Sequence, residues 1–196
     1  MARPFRSPLR VVSDPRPPPL LPNAVLGMLI FVITEAMLFA GLISAFMITR
    51  ASAVIWPPPG QPRLPVEETA LNTAALLLSG VLLVFAGRAF KREPRSARRP
   101  LLLSILLGAF FVVFQGYEWA GLIREGLTLT SSTHGGFFYL IVGLHALHAV
   151  AALALLGTVW LRLMRGRLVR STFGSAQVLW YFVVGVWPIL YLRVYL

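Results

Sequence analysis

Residues 24–49 read AVLGMLIFVITEAMLFAGLISAFMIT, with one ionisable side chain, Glu35, in the whole run. A membrane-spanning helix needs about 20 mostly apolar residues, and this run exceeds that length. It is apolar on every face, which a surface helix of a soluble protein is not. Four further runs resemble it, at about 70–90, 101–123, 135–161 and 174–192. The second is the least apolar, because Asn72 and Thr73 stand at its start. The fold class expected is therefore all-α, a five-helix integral membrane protein.

The whole composition agrees with this reading. Apolar residues make up 57% of the 196-residue chain and charged residues 13%, and mean hydropathy is +0.76. Soluble domains carry about 25% charged residues. The absence of cysteine excludes disulfides, thiolate nucleophiles and cysteine-held metal clusters. No phosphate-binding loop, nucleophile triad or nucleotide fingerprint is present.

Proline and glycine separate the runs. Pro57, Pro58, Pro59, Gly60, Pro62 and Pro65 make a stiff first connection that is not helical. Pro94 and Pro100 bracket the second connection, and Gly166 and Gly174 mark the fourth. Residues 1–22 hold seven prolines and little hydrophobicity and are expected to form a flexible cytoplasmic tail, with the membrane domain at 23–196. The first apolar run is too long for a cleavable signal.

The net charge of +11 is explained by its placement. The tail (Arg3, Arg6, Arg10, Arg16), the second connection (Arg88 to Arg99) and the fourth (Arg162 to Arg170) hold 14 of the 18 basic residues. All three lie on one side of a five-span chain. Cationic segments stay cytoplasmic, so the N-terminus is expected inside and the C-terminus outside. Nucleic acid is not expected as a partner. Anionic lipid is a conceivable partner of the second connection.

Few polar groups interrupt the spans: Glu35, Gln115, Glu118, His145 and His148. An ionisable group at the bilayer centre costs roughly 2.5–3.5 kcal/mol, so such groups face a bundle interior or a partner. Glu35 lies about 11 residues into its span, roughly 17 Å deep at ~1.5 Å per residue. By the same count His145 is near the midplane, and the two are expected to meet; Glu118 sits nearer the outer side. Three functional roles stand beside a structural one. Two glutamates and a histidine pair suggest a metal site, although Glu-x-x-His on one helix is missing. Bis-histidine haem ligation needs histidines on facing helices. Glu35 suits proton relay or buffering. The structural alternative is interhelical hydrogen bonding. Gly27 and Gly41 in the first span, and Gly135, Gly136 and Gly143 in the fourth, are expected to allow close helix approach. Trp56, Trp119, Trp180 and Trp187 lie toward span ends, as interfacial aromatics do.

At these residues the sequence resembles subunit III of the haem–copper oxidases, from about Leu26 to Leu192. Ile33-Thr34-Glu35-Ala36-Met37-Leu38-Phe39 is similar to the family's S-E-x-M-F-F helix. Trp56-Pro57-Pro58-Pro59-Gly60 resembles W-P-P-x-G. Leu71-Asn72-Thr73 with Leu76-Leu77-Leu78-Ser79-Gly80 resembles L-N-T-x-x-L-L-x-S-G. Gln115-Gly116-Tyr117-Glu118-Trp119 is like Q-x-x-E-[YW], and Gly143-Leu144-His145-Ala146-Leu147-His148 is like T-G-x-H-G-x-H without its first residue. Trp180 to Trp187 resembles W-H-F-V-D-V-V-W.

This chain has Tyr181 and Val184 where the family has its last-helix His and Asp, and Val142 and Ala146 for the Thr and second Gly of span four. Tyr181 is expected to supply a phenol across helices in place of the missing acid.

The resemblance implies a non-redox subunit of a bacterial terminal oxidase in the inner membrane, with no catalytic centre of its own. Its partners would be subunit I, subunit II and phospholipid. Haem and copper would reside in the partner subunits. Glu35, Glu118, His145 and His148 would be proton-related or structural. Arg50, Trp56, Arg88, Trp119 and Trp180 would be lipid-headgroup or interface positions. Two alternatives are an accessory protein of nitric oxide reductase and, from another class, an unrelated transporter or metal-site membrane enzyme.

Overall fold

The computed structural model describes residues 21–196, so the expected tail lies outside it except for its last two residues. Five helices follow one another: α1 (Asn23–Ser52), α2 (Val66–Arg92), α3 (Arg98–Arg124), α4 (Thr133–Met164) and α5 (Arg170–Leu190). Each is long and apolar enough to cross a membrane. No strand occurs among the described residues.

The helices alternate in direction. The end of α1, the starts of α2 and α4, and the ends of α3 and α5 share one end of the bundle, where Thr69 meets Glu118 and Trp56 meets His134. Phe90 meets Phe173 at the other end, which carries the arginine-rich connections.

Local chemistry sets the limits of the helices. Pro65 precedes α2, and Glu67 and Glu68 occupy its first turn, where negative charge favours the helix dipole. The helix therefore starts four residues before the apolar run at 70. Pro94 opens a 3₁₀ turn (Pro94–Ala97), and Pro100 lies inside the first turn of α3. There a missing N–H costs nothing. Ser132 Oγ accepts the Gly135 N–H at 3.0 Å and caps α4.

Gly126 (φ +94°) and Gly166 (φ +67°) end α3 and α4. At each, the next residue's N–H reaches back, Leu127 to Leu122 and Arg167 to Arg162, in the closing pattern that left-handed glycine permits. Gly174 does not mark the fourth connection: it lies one turn inside α5. Pro188 withholds an N–H late in α5, and the chain continues as a π-helical turn, Tyr191–Tyr195.

α5 is the central element, packed on α1, α2 and α4; α3 packs on α2 and α4. Trp180, Trp187, Phe39, Phe111 and Phe138 fill the interior. Close approach falls at glycines other than those expected. A Cβ on Gly108 would stand 2.5 Å from the Trp180 ring, and one on Gly80 would stand 2.9 Å from Val184 Cγ1. Gly27 and Gly41 have nothing within 4 Å of where a Cβ would be, and Gly135 abuts the carbonyl of Thr128 in its own preceding loop. Gly143 makes only an ordinary contact, at 3.9 Å from Trp119. Helix faces that the hydropathy pattern leaves equivalent are distinguished here by which one meets a ring.

Polar pins cross these interfaces. Ser79 and Ser104 exchange hydroxyl-to-carbonyl bonds of 3.0 and 2.8 Å between α2 and α3. Asn72 Nδ2 donates to Phe111 O at 3.2 Å. Trp187 Nε1 donates to Thr73 Oγ1 at 2.8 Å. The polar start of span two is thus part of the buried bundle. Such interhelical bonds average about 0.6 kcal/mol in a membrane, and together they select one register.

Candidate functional site

Glu35 and His148 form the pair at the heart of the bundle's polar chemistry. Glu35 Oε2 lies 3.1 Å from His148 Nε2, close enough for an ion pair but without hydrogen-bond alignment. The partner is therefore His148, and the expected meeting of Glu35 with His145 does not occur. The two histidines are three residues apart, and that step turns them toward different neighbours. His148 faces α1, with Phe31 and Phe39 beside it. His145 faces inward, its ring centroid 5.0 Å from that of Trp187 and 6.2 Å from that of Phe111. Depth counting was off by under one turn, and helix rotation decided the pairing.

His148 Nδ1 lies 2.8 Å from Leu144 O. A carbonyl only accepts, so Nδ1 carries a hydrogen. In neutral imidazole the other nitrogen, Nε2, is then an acceptor. Nε2 is thus the nitrogen turned toward the Glu35 carboxyl. Side-chain exposure of 18% for Glu35 and 11% for His148 leaves the pair reachable from outside the chain.

His145 is enclosed, with neither ring nitrogen bonded. Its surroundings are aromatic and it holds no partner to exchange protons with.

Glu118 belongs to a separate cluster toward the opposite end from the arginine-rich connections. Thr69 Oγ1 lies 3.2 and 3.1 Å from its two oxygens. Gln115 Nε2 donates to Glu118 Oε2 at 2.9 Å and to Tyr195 Oη at 3.0 Å. The Thr69 hydroxyl also reaches Pro65 O at 2.6 Å, and its single hydrogen cannot serve both. Tyr195, by its place near a span end an expected interfacial aromatic, is buried in this cluster instead, and Thr69 carries no signal in the sequence, being one threonine at a span start. His134 was passed over too. It is buried at the start of α4, edge-on to Trp56 with ring centroids 4.9 Å apart.

The interface candidates divide. Arg50 Nη2 donates to Leu196 O at 3.2 Å. Trp56 is half-buried against Phe46 and His134. Trp119 is half-buried, edge-on to Tyr139. Arg88 is exposed at the arginine-rich end. Trp180 is not an interface residue: it is fully buried and its Nε1 donates to Ser79 Oγ at 2.9 Å. Its place near a span end misled, because α5 begins four residues earlier than its apolar run.

The last helix corrects a second expectation. Tyr181 Oη accepts from Gln177 Nε2 at 3.3 Å, within α5, and makes no interhelical bond. Val184 packs into the notch at Gly80.

Among the described residues, no three His, Asp or Glu side chains gather as a metal-holding group. Glu118 and Glu35 are held by different partners, so the two do not form a joint carboxylate set.

Sequence comparison adds relatives to this geometry. The family model described as cytochrome c oxidase subunit III matches residues 22–196. A Corynebacterium diphtheriae protein named cytochrome c oxidase subunit 3 is 34% identical over 182 residues, 89% of this chain and 88% of the relative. A Nocardia farcinica protein named probable cytochrome c oxidase subunit 3 is also 34% identical, over 189 residues, with the same coverage of both chains. The African elephant (Loxodonta africana) cytochrome c oxidase subunit 3 is 31% identical over 179 residues, 86% of this chain and 67% of its own. The match covers all five helices, and the chain belongs to the cytochrome c oxidase subunit III family.

Proposed function

We propose that this chain is the non-redox subunit III of a bacterial terminal oxidase that reduces oxygen to water, and that its Glu35–His148 pair is the group through which it supports proton uptake by the catalytic subunit. The observation that carries this reading is the meeting of the Glu35 carboxyl with the His148 imidazole at 3.1 Å, deep in a span and open to the outside of the chain. The chain sits in the inner membrane with its tail, residues 1–22, and its arginine-rich connections in the cytoplasm. Subunit I is the main partner, with subunit II beside it, and haem and copper lie in those partners. The half-buried Arg50, Trp56 and Trp119 meet lipid headgroups or neighbouring subunits, and Arg88 does so at the other end. Glu118 and His145 serve packing.

The test is Glu35→Gln in the complete oxidase. Expected are unchanged haem content and assembly, with turnover several-fold lower or inactivation several-fold faster. Loss of the subunit in proportion to lost activity makes Glu35 a packing residue. Unchanged activity, lifetime and assembly remove it from any functional account.

A further inference from the structure

At the arginine-rich end, the α2–α3 and α4–α5 connections come together around a recess of about 550 Å³. Arg95 and Arg98 enter it from one connection and Arg165 from the other. Glu93 is the one acid lining it, and Glu93 Oε2 already accepts from Ser96 Oγ at 3.0 Å. Among the described residues, none of the three arginines forms an ion pair with a carboxylate. Arg98 Nε is shut from solvent and has no acceptor. α3 starts at Arg98 itself, with no capping side chain and no acid in its first turn to offset the arginines. Retention of cationic loops on one side accounts for the number of arginines here. It does not account for their convergence from two separate connections, nor for a guanidinium nitrogen closed off without an acceptor.

The rest of the lining is apolar, with Phe90 and Leu163 buried and Leu168 half-buried. α2 and α4 both end here, so the recess lies where spanning helices give way to loops. We propose that it binds the phosphate of an anionic phospholipid drawn from the adjacent leaflet. The guanidinium forks take the phosphate oxygens, and Phe90, Leu163 and Leu168 receive the glycerol and the first methylenes. Free phosphate shares the charge but leaves the apolar lining unused. The site lies between surface connections, apart from any cleft between spanning helices, and does not depend on which complex the chain joins.

The test uses the full chain within its detergent-extracted complex, stripped of lipid. Phosphatidylglycerol, phosphatidylcholine and inorganic phosphate are added separately and in competition, and retention is read by native mass spectrometry. One phosphatidylglycerol should be retained in preference to phosphatidylcholine and should resist an equimolar amount of phosphate. Arg165→Gln should weaken retention about fivefold, and Arg98→Gln with Arg165→Gln roughly 25-fold, as expected for surface cations facing anionic lipid. Arg92→Gln with Arg99→Gln removes the same charge from exposed positions outside the recess and should change retention less than twofold. Equal loss in both double variants, or none in either, overturns the site; displacement by equimolar phosphate overturns its assignment to lipid. Arg165 is exposed on a loop, so its single variant keeps the test open where Arg98→Gln disturbs the start of α3.

Discussion

Whether Glu35 is neutral beside His148 is a question for chemistry at a single carboxyl. Hydrophobic carbodiimides react with protonated carboxyls in dry sites. Labelling mapped by peptide mass should favour Glu35 over Glu67 and Glu68, which are exposed in the first turn of α2. Equal labelling of all three would mean that Glu35 is ionised like an exposed acid. Tyr181 offers a contrast. Its phenol bonds to Gln177 on its own helix, so Tyr181→Phe should cost less than about 0.5 kcal/mol of complex stability, below the average membrane pair. A loss near 1.5 kcal/mol in thermal denaturation would mean a bond to another helix or subunit. The presence of Glu35 and of both histidines was legible in the sequence, because polar residues stand out in apolar runs. Which histidine meets Glu35 was not, since a turn of 60° between His145 and His148 decides it.

Helix packing here depends on a few notches. Gly108 takes the Trp180 ring and Gly80 takes Val184. Overpacking a full interior costs about 1–3 kcal/mol, so Gly108→Ala should lower the stability of the purified complex by that amount, seen as a lower denaturation midpoint. Gly41→Ala meets no atom of this chain and should change stability by no more than about 0.5 kcal/mol. Equal losses would mean that another subunit packs on Gly41. Place within the spans marked glycines in α1 and α4, yet the closest contacts between helices are at glycines of α2 and α3. Every glycine in a span looks alike until the neighbouring side chain is known. Where α1 faces away from the bundle it keeps Ile30, Ile33, Met37 and Ile48 exposed, surface suited to lipid or to a partner helix and untenable in water.

Orientation belongs to the molecule as a whole. A reporter fused after Arg98 and one at the C-terminus should report opposite sides of the membrane, with the first inside; matching sides would contradict the alternation of the five helices. That the chain spans a membrane five times was readable from residues alone, because hydropathy adds up along a segment whatever surrounds it. Family membership was readable as well, since it rests on the order of short motifs. Helix starts were read less well: α2 and α5 begin four residues before their apolar runs, as charged residues enter a first turn without leaving the headgroup region. Three-dimensional packing alone joined Glu35 to His148, buried Trp180 on Ser79, set Glu118 between Thr69 and Gln115, and gathered arginines from two connections around one recess. Those outcomes depend on how each helix is turned and tilted against its neighbours, and that is fixed by side-chain shape across interfaces between residues far apart in the chain.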